Sequence, residues 1–261
     1  IGEFFDFKYH TPYVRPIVGR TISEIRWFPG ATLNYAEHAL ARQDTHIAIM
    51  SKSEGKPIRT VSYRQLRRDV VSIAAGLRAL GVAKGDRVVG YMPNIPETLV
   101  AFLATASIGA IWSSCAPEFG ASSVLDRFRQ IEPKVLLATD GYIFHGKRIS
   151  RLKEISMIQR ELSSLEHTVI LSNLGDPVKI DDLKDYMSWQ DIDTGADSIE
   201  FEPVDFDHPL WLLYTSGTTG LPKPIVQGHG GILLEHFKTL SLHLDLKDED
   251  RFFWFTTTGW M

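Results

Sequence analysis

Apolar positions along the middle of the chain follow two alternating rhythms. Leu66, Val70, Ile73, Leu77 and Leu80 are spaced by four, three, four and three residues, which draws one apolar stripe along a helix. Arg64, Arg67, Arg68, Asp69 and Arg78 lie mostly off that stripe, and Gly81 follows as a C-terminal stop. Two heptads are too few for a coiled coil, so this helix is expected to pack on a sheet. Short apolar runs at 87–92, 110–115, 134–139, 167–172, 209–214 and 251–256 read as strands. Runs at 96–108, 121–131, 150–165 and 231–242 read as helices. This alternation predicts βαβ units, hence an α/β fold with a mostly parallel sheet and helices on both faces. Upstream, 46–52 and 57–62 flank a Ser-Glu-Gly-Lys turn and predict a hairpin, while 33–42 after Thr32 as N-cap predicts a helix. The first thirty residues are rich in aromatics, Pro and Arg without a period, and are expected to wrap a surface. The reading therefore divides the chain into a wrapping segment, 1–45, and part of a larger domain, 46–261. The acidic, weakly periodic stretch 175–207 is expected to be an excursion and is the one candidate internal boundary.

Composition narrows the class. Hydrophobic residues make up 44% and charged residues 23% of the 261 positions, enough apolar surface to exclude intrinsic disorder. A net charge of −4 exerts no global pull toward nucleic acid or an anionic membrane, and neither is expected as a partner. The single cysteine, Cys115, excludes an intrachain disulfide and fits a reducing, cytoplasmic setting. Residues 98–117 lack charge over the length of a membrane span, but five Ser and Thr and a central Gly109 read instead as a buried helix running into a buried strand. The start carries Glu3 and Asp6 and no long apolar core, unlike a secretory signal. Phe253-Trp254-Phe255-Thr256 resembles a central strand five residues from the last position, so the chain is expected to be a piece of a longer protein.

The densest chemistry lies in Thr215-Ser216-Gly217-Thr218-Thr219-Gly220-Leu221-Pro222-Lys223, directly after the apolar run Leu210-Trp211-Leu212-Leu213. Two glycines permit close backbone approach, four hydroxyls add donors, and Lys223 adds charge, so such a loop can surround phosphate oxygens. Two residues separate the second glycine from the lysine, so it is not a Walker A loop. The alternative is a Gly/Thr turn with a solvated lysine. His229, His236 and His243 recur every seven residues, a rise of about 10.5 Å along a helix. Neighbours at that spacing cannot share one ion on a straight helix, and no metal site is expected. Cys115 in its apolar run reads as an inert buried thiol. Gly228-His229-Gly230-Gly231 is faintly like an esterase oxyanion loop, but no G-x-S-x-G elbow accompanies it.

The Thr215–Lys223 stretch resembles the signature loop of the acyl-adenylate-forming superfamily, which includes acyl-CoA synthetases, luciferases and peptide-synthetase adenylation domains. Trp27-Phe28-Pro29-Gly30 with Leu33-Asn34-Tyr35-Ala36-Glu37 is similar to the entry segment of its acetyl- and acetoacetyl-CoA synthetase branch, and Tyr63-Arg64-Gln65-Leu66 matches the family's early helix start. The run from Gly90-Tyr91-Met92-Pro93-Asn94 through Gly109-Ala110-Ile111-Trp112-Ser113 also looks like this family. The runs from Gln227 to His236 and from Thr256 to Met261 look most like the acetoacetate-activating members. Pro224 departs from the Gly or Ala usual there.

The resemblance implies an ATP-dependent ligase. A carboxylate attacks the α-phosphate of Mg2+-bound ATP to give an acyl-adenylate, and the thiol of coenzyme A then displaces AMP. It implies ATP-binding roles for Thr215, Ser216, Gly217, Thr218, Thr219, Gly220 and Lys223, and an acyl pocket at Trp260 and Met261. It also implies coenzyme A contacts at Lys147 and Arg148, for which a solvated loop beside a helix start is the alternative, and at Glu118 beside the pantetheine channel. No catalytic residue is assigned within the chain. The family's adenine- and magnesium-holding segment, ribose-binding aspartate and C-terminal lysine have no counterpart here, so the chain alone is expected to bind nucleotide weakly and catalyse neither step. Acetate or propionate as the acid, or a silent nucleotide- or partner-binding role, stand as alternatives.

Overall fold

The computed structural model describes residues 2–175, 183, 185–215 and 220–260. Strands β1 (Ile17–Val18) and β2 (Arg26–Trp27) form a small antiparallel ribbon. β3 (Thr32–Leu33) precedes helix α1 (Tyr35–Ala39). The expected helix over 33–42 is thus shorter, and its cap is Asn34 rather than Thr32. The reason is tertiary. Asn34 is fully buried; its Oδ1 accepts from Ala36 N at 2.9 Å, while its Nδ2 donates to Ala106 O and Glu202 O, each at 3.0 Å. Threonine has no second group with which to reach those carbonyls. Ala106 O keeps another donor in Gly109 N at 3.1 Å, so Asn34→Ala costs mainly the cap and the Glu202 carbonyl. That is about 2 kcal/mol. A denaturant midpoint measures it, and Asn34→Ser, which restores only the cap, recovers about half.

β4 (Ile47–Ser51) and β5 (Arg59–Ser62) form the expected hairpin. Ser62 caps α2 (Tyr63–Ala79) by accepting from Gln65 N, and Gly81 ends the helix at φ +77°. Then come β6 (Arg87–Tyr91), α3 (Pro96–Ser107), β7 (Ile111–Cys115), α4 (Ala121–Phe128) and β8 (Val135–Thr139). A hairpin of β9 (Gly141–Phe144) and β10 (Lys147–Ser150) leads into α5 (Leu152–Glu161). β11 (His167–Leu171), β12 (Tyr186–Ser188), α6 (Trp189–Ile192) and β13 (Val204–Asp205) follow. The described chain closes with β14 (Pro209–Thr215), β15 (Lys223–Gly228), α7 (His229–Phe237) and a π-helical turn, Lys238–His243.

Seven strands make the main sheet in the order β12-β11-β8-β6-β7-β14-β15. All its pairings are parallel except β14 with β15. The pleat sorts residues between two cores. Val88, Trp112, Val135, Leu137 and Val169 pack with α2 and α3 on one face. Val89, Tyr91, Leu136, Ala138 and Ile170 pack with α4 and α5 on the other. The predicted α/β class, with a mostly parallel sheet and helices on both faces, is the class observed.

Several boundaries differ. α4 stops at Phe128 instead of 131, because Glu132 adopts φ +47° and Pro133 follows. Of the expected 150–165, α5 spans only Leu152–Glu161, with Ser150 in β10 and Arg151 as its N-cap, and α7 starts at His229 and gives way to the π-helical turn. No strand forms at 251–256; Phe253 and Phe255 are 82% and 93% exposed, since no strand among the described residues offers a ladder to that stretch. Of 175–207, residues 176–182 and 184 lie outside the described residues. The rest is woven into the fold: β12 extends the sheet, Trp189 and Ile192 of α6 enter the core, and β13 pairs with β3. No helix among the described residues is long and apolar enough to cross a membrane; 98–117 is α3 and β7, buried.

Candidate functional site

The helix after β6 lies on one face of the sheet, and those after its neighbours β7 and β8 lie on the other. Their loops therefore diverge at the carboxyl ends of these strands and open a crevice, the usual ligand position in an open parallel sheet. β14 ends at the same edge, beside β7. Ser113 Oγ ties the two strands by donating to Leu212 O at 2.8 Å. Apolar Leu210, Leu212 and Leu213 bury β14 and set its end rigidly at that edge.

β14 and β15 pair antiparallel, which brings Thr215 directly opposite Lys223 and Tyr214 opposite Pro224. The Gly/Thr-rich segment is thus the connection of a hairpin at the carboxyl edge. Thr215 is half-buried, while Gly220 and Lys223 are exposed. Ser216, Gly217, Thr218 and Thr219 lie outside the described residues. Pro224 sits on the edge strand, where its missing N–H is tolerated. The β15 strand itself was not anticipated; the signal was a six-residue run, Lys223–Gly228, with adjacent Ile225 and Val226.

Across the crevice, Tyr91 Oη donates to Pro117 O at 3.0 Å and to Phe119 O at 2.6 Å, which pins the loop after β7. Glu118 in that loop is exposed. Cys115, just before it, is buried, and burial pushes its thiol up to about 12, too high for a nucleophile at neutral pH. At the carboxyl end of β8, buried Asp140 accepts from Asn173 N at 2.8 Å and Leu174 N at 3.0 Å, fixing the turn after β11.

Lys147 and Arg148 lie on strand β10 rather than in a solvated loop. His145 and Gly146 form its turn with φ of +49° and +73°, a two-residue hairpin connection that His-Gly between two β-prone runs could have announced. Adjacent strand positions point to opposite faces, so the two cations leave the hairpin in different directions. Arg148 Nη2 donates to Leu174 O at 2.8 Å.

The segment after the unpaired aromatic stretch returns to the crevice. Asn94 Nδ2 donates to Thr256 O at 2.6 Å, and Thr258 N donates to Asn94 Oδ1 at 3.1 Å. A Cβ on Gly259 would lie 2.5 Å from Ser114 O, so only glycine permits this approach. Trp260, exposed, is thereby held near the ends of β6 and β7; Met261 lies outside the described residues. Asn94 is the organising residue that the spacing of sequence features did not single out. On the α3 side the same edge opens into a cavity of about 550 Å³ whose lining includes Asn94, Phe102, Trp112, Trp211 and Thr258.

His229 and His236 are engaged locally. His229 Nδ1 accepts from Tyr35 N at 3.1 Å, and His236 Nδ1 lies 2.9 Å from Tyr35 Oη. Among the described residues no group of three or more His, Cys, Asp or Glu is placed to hold a metal ion.

Fold and site together define an open parallel α/β protein with a glycine- and threonine-rich hairpin at its carboxyl edge. A family model described as AMP-binding enzyme matches residues 36–261, and the chain belongs to that family. It is 40% identical over 245 residues to an acetoacetyl-CoA synthetase of Xenopus tropicalis, covering 90% of this chain and 36% of that protein. An acetoacetyl-coenzyme A synthetase of Rhizobium meliloti (strain 1021) is 42% identical over 246 residues, with 93% and 38% covered. The solved structure of an acetoacetyl-CoA synthetase from Streptomyces lividans superposes with a TM-score of 0.93 at 50% identity, covering 99% of this chain and 40% of that one. The chain thus spans under two-fifths of the length of these two curated relatives.

Proposed function

We propose that the chain is part of a cytoplasmic ATP-dependent acid–CoA ligase whose acid is acetoacetate. The observation that carries this reading is the hairpin that sets Thr215 opposite Lys223 at the carboxyl edge of a parallel sheet. In this reading 46–261 is part of the AMP-binding domain and 1–45 wraps it. Acetoacetate oxygen attacks the α-phosphorus of ATP, and the bond to the bridging oxygen of pyrophosphate breaks. Negative charge then grows on the leaving pyrophosphate, where backbone N–H groups and hydroxyls of 215–220 and the ammonium of Lys223 stabilise it. Mg2+ arrives with the triphosphate as part of the substrate. Coenzyme A sulfur next attacks the acyl carbon and AMP departs. Trp260 and Met261 border the acid, Glu118 borders the pantetheine, and Lys147 and Arg148 flank the nucleotide end of coenzyme A. Because those two cations point apart, a single phosphate engages one of them directly and the other acts through the field it adds.

Support for acetoacetate comes from the similarity to acetoacetyl-CoA synthetases from an animal and two bacteria. The discriminating experiment is carboxylate-dependent ATP–pyrophosphate exchange by the full-length protein, with acetoacetate, acetate, propionate and butyrate in parallel. Exchange fastest with acetoacetate is expected. Exchange with another acid keeps the mechanism and moves the substrate, since one small group changes binding by only about 1–3 kcal/mol. No exchange with any acid, in folded protein with Mg2+ and ATP, overturns the reading in favour of a silent nucleotide-binding role.

A further inference from the structure

The C-terminal turn of α4 and the residues just after it hold both stems of the hairpin loop. On the entering side, Tyr214 Oη donates to Arg127 O at 2.7 Å. On the leaving side, Gln130 Nε2 donates to Pro222 O at 2.8 Å. The Arg127 guanidinium also lies over two rings, 4.9 Å from the centroid of Phe119 and 5.9 Å from that of Tyr214. Its Nη1 donates to Ser123 O at 2.6 Å, which fixes the direction of the side chain along α4. The Phe119 backbone carbonyl in turn accepts from Tyr91 Oη at 2.6 Å. One short stretch of chain, 127–130, therefore touches the loop after β7 and both ends of the loop after β14.

A phosphate group is bound best by donors whose supporting stems are fixed before it arrives, so a set of stem positions has to be narrowed. Anchoring both stems narrows that set without contact to the ligand. Resting on the reading of 215–223 as the phosphate loop, we propose that Arg127 and Gln130 are positioning residues for the ligase reaction. Gln130 sets the pose of the phosphate loop through the Pro222 carbonyl. Arg127 sets the same loop against the 117–120 loop through its shared stack on Tyr214 and Phe119, so it links the site of adenylation to the path of the thiol.

The test uses the full-length protein and three variants. Gln130 is exposed in the turn just after α4, so Gln130→Met keeps the side-chain length while removing the donor. Its melting temperature should stay within about 2 °C of the unmodified protein. In the exchange assay its KM for ATP and for pyrophosphate should rise about 2- to 10-fold, the worth of one hydrogen bond, with KM for acetoacetate unchanged. Arg127→Met should raise the same two constants and, in the thioester-forming step, the KM for coenzyme A as well. Arg127→Lys should not restore them, because an ammonium lacks the plane that stacks on two rings. Unchanged ATP and pyrophosphate constants in Gln130→Met, or Arg127 variants whose losses merely track their melting temperatures, overturn the proposal alone. Absence of exchange in the unmodified protein overturns the ligase reading and this proposal with it.

Discussion

Gly76→Ala is expected to lower the melting temperature by about 4–8 °C, although alanine is the better helix former. The clash decides the sign. A Cβ on Gly76 would lie 2.0 Å from Ile192 O and 2.9 Å from its carbonyl carbon, so α6 rests directly on the backbone of α2. Relief requires α6 to move outward by roughly 1 Å, because Cβ contacts below about 3 Å are not tolerated. That movement would loosen Trp189 and Ile192 from the core. It would also strain the bonds that tie the following turn to Ser72, where Gly195 N donates to Ser72 Oγ at 2.7 Å and Thr194 Oγ1 donates to Ser72 O at 3.1 Å. Overpacking of this kind costs about 3 kcal/mol, against about 1 kcal/mol regained from helix propensity. Gly231→Ala in α7 is the control. Nothing lies within 4 Å of its Cβ position, so that substitution should leave stability unchanged or raise it. Thermal unfolding of both variants measures the difference; a Gly76→Ala protein as stable as the unmodified one would show that α6 does not seat on α2.

Acidification from pH 7 to pH 5 is expected to remove about 2 kcal/mol of stability through His229 alone. The ring is fully buried, and its Nδ1 accepts the Tyr35 N–H, so it is held as the neutral tautomer with the proton on Nε2. Burial first, then the nearby His208 and Lys84, push its pKa down to about 3. In the unfolded chain the same ring titrates near the ordinary 6.5. The folded state therefore refuses a proton that the unfolded state accepts. Its contribution is fully present above about pH 6.5 and is lost as pH falls from there toward 3. His38 and His236, also lowered by burial, act in the same direction. Asp69, raised by burial, acts oppositely, as pH falls through its raised folded value toward the ordinary carboxylate one. Denaturant midpoints at pH 7 and pH 5 give the slope. His229→Asn keeps an acceptor for Tyr35 N without a titrating ring, and should flatten that slope by about 2 kcal/mol. An unmodified protein equally stable at both pH values would show that the ring is not buried neutral.

The periodic parts of the fold were legible because their burial is local in sequence. The four-three spacing from Leu66 to Leu80 locates α2, and the apolar runs at 87–92, 110–115, 134–139, 167–172 and 209–214 fall on β6, β7, β8, β11 and β14. Each of these elements buries a face whatever lies beside it. The run at 251–256 shows the limit. Its composition is that of a strand, but a strand exists only where another lies alongside to complete its hydrogen bonds, and none does among the described residues. Asn34 shows the same limit from the other side, since Thr32 is as good a cap by type but only Asn34 reaches the end of α3.

The site divides along the same line. Residue types at fixed spacing singled out 215–223 as the candidate for phosphate binding, because donors, glycines and a cation are properties of adjacent residues. Nothing in spacing says that Thr215 faces Lys223, that Lys147 and Arg148 point apart, or that Asn94 fastens Thr256 and Thr258 across 162 and 164 positions. By itself, then, the sequence determined which segments alternate between sheet and helix and which loop gathers the glycines, hydroxyls and lysine on which the phosphate-binding proposal rests. The tertiary structure alone decided which strand ends meet at the crevice, that the end of α4 and the turn after it touch both stems of the loop, and that His229 stays neutral. Those are consequences of chain segments far apart in sequence sharing one buried volume, where desolvation and hydrogen-bond completion depend on neighbours that no local pattern encodes.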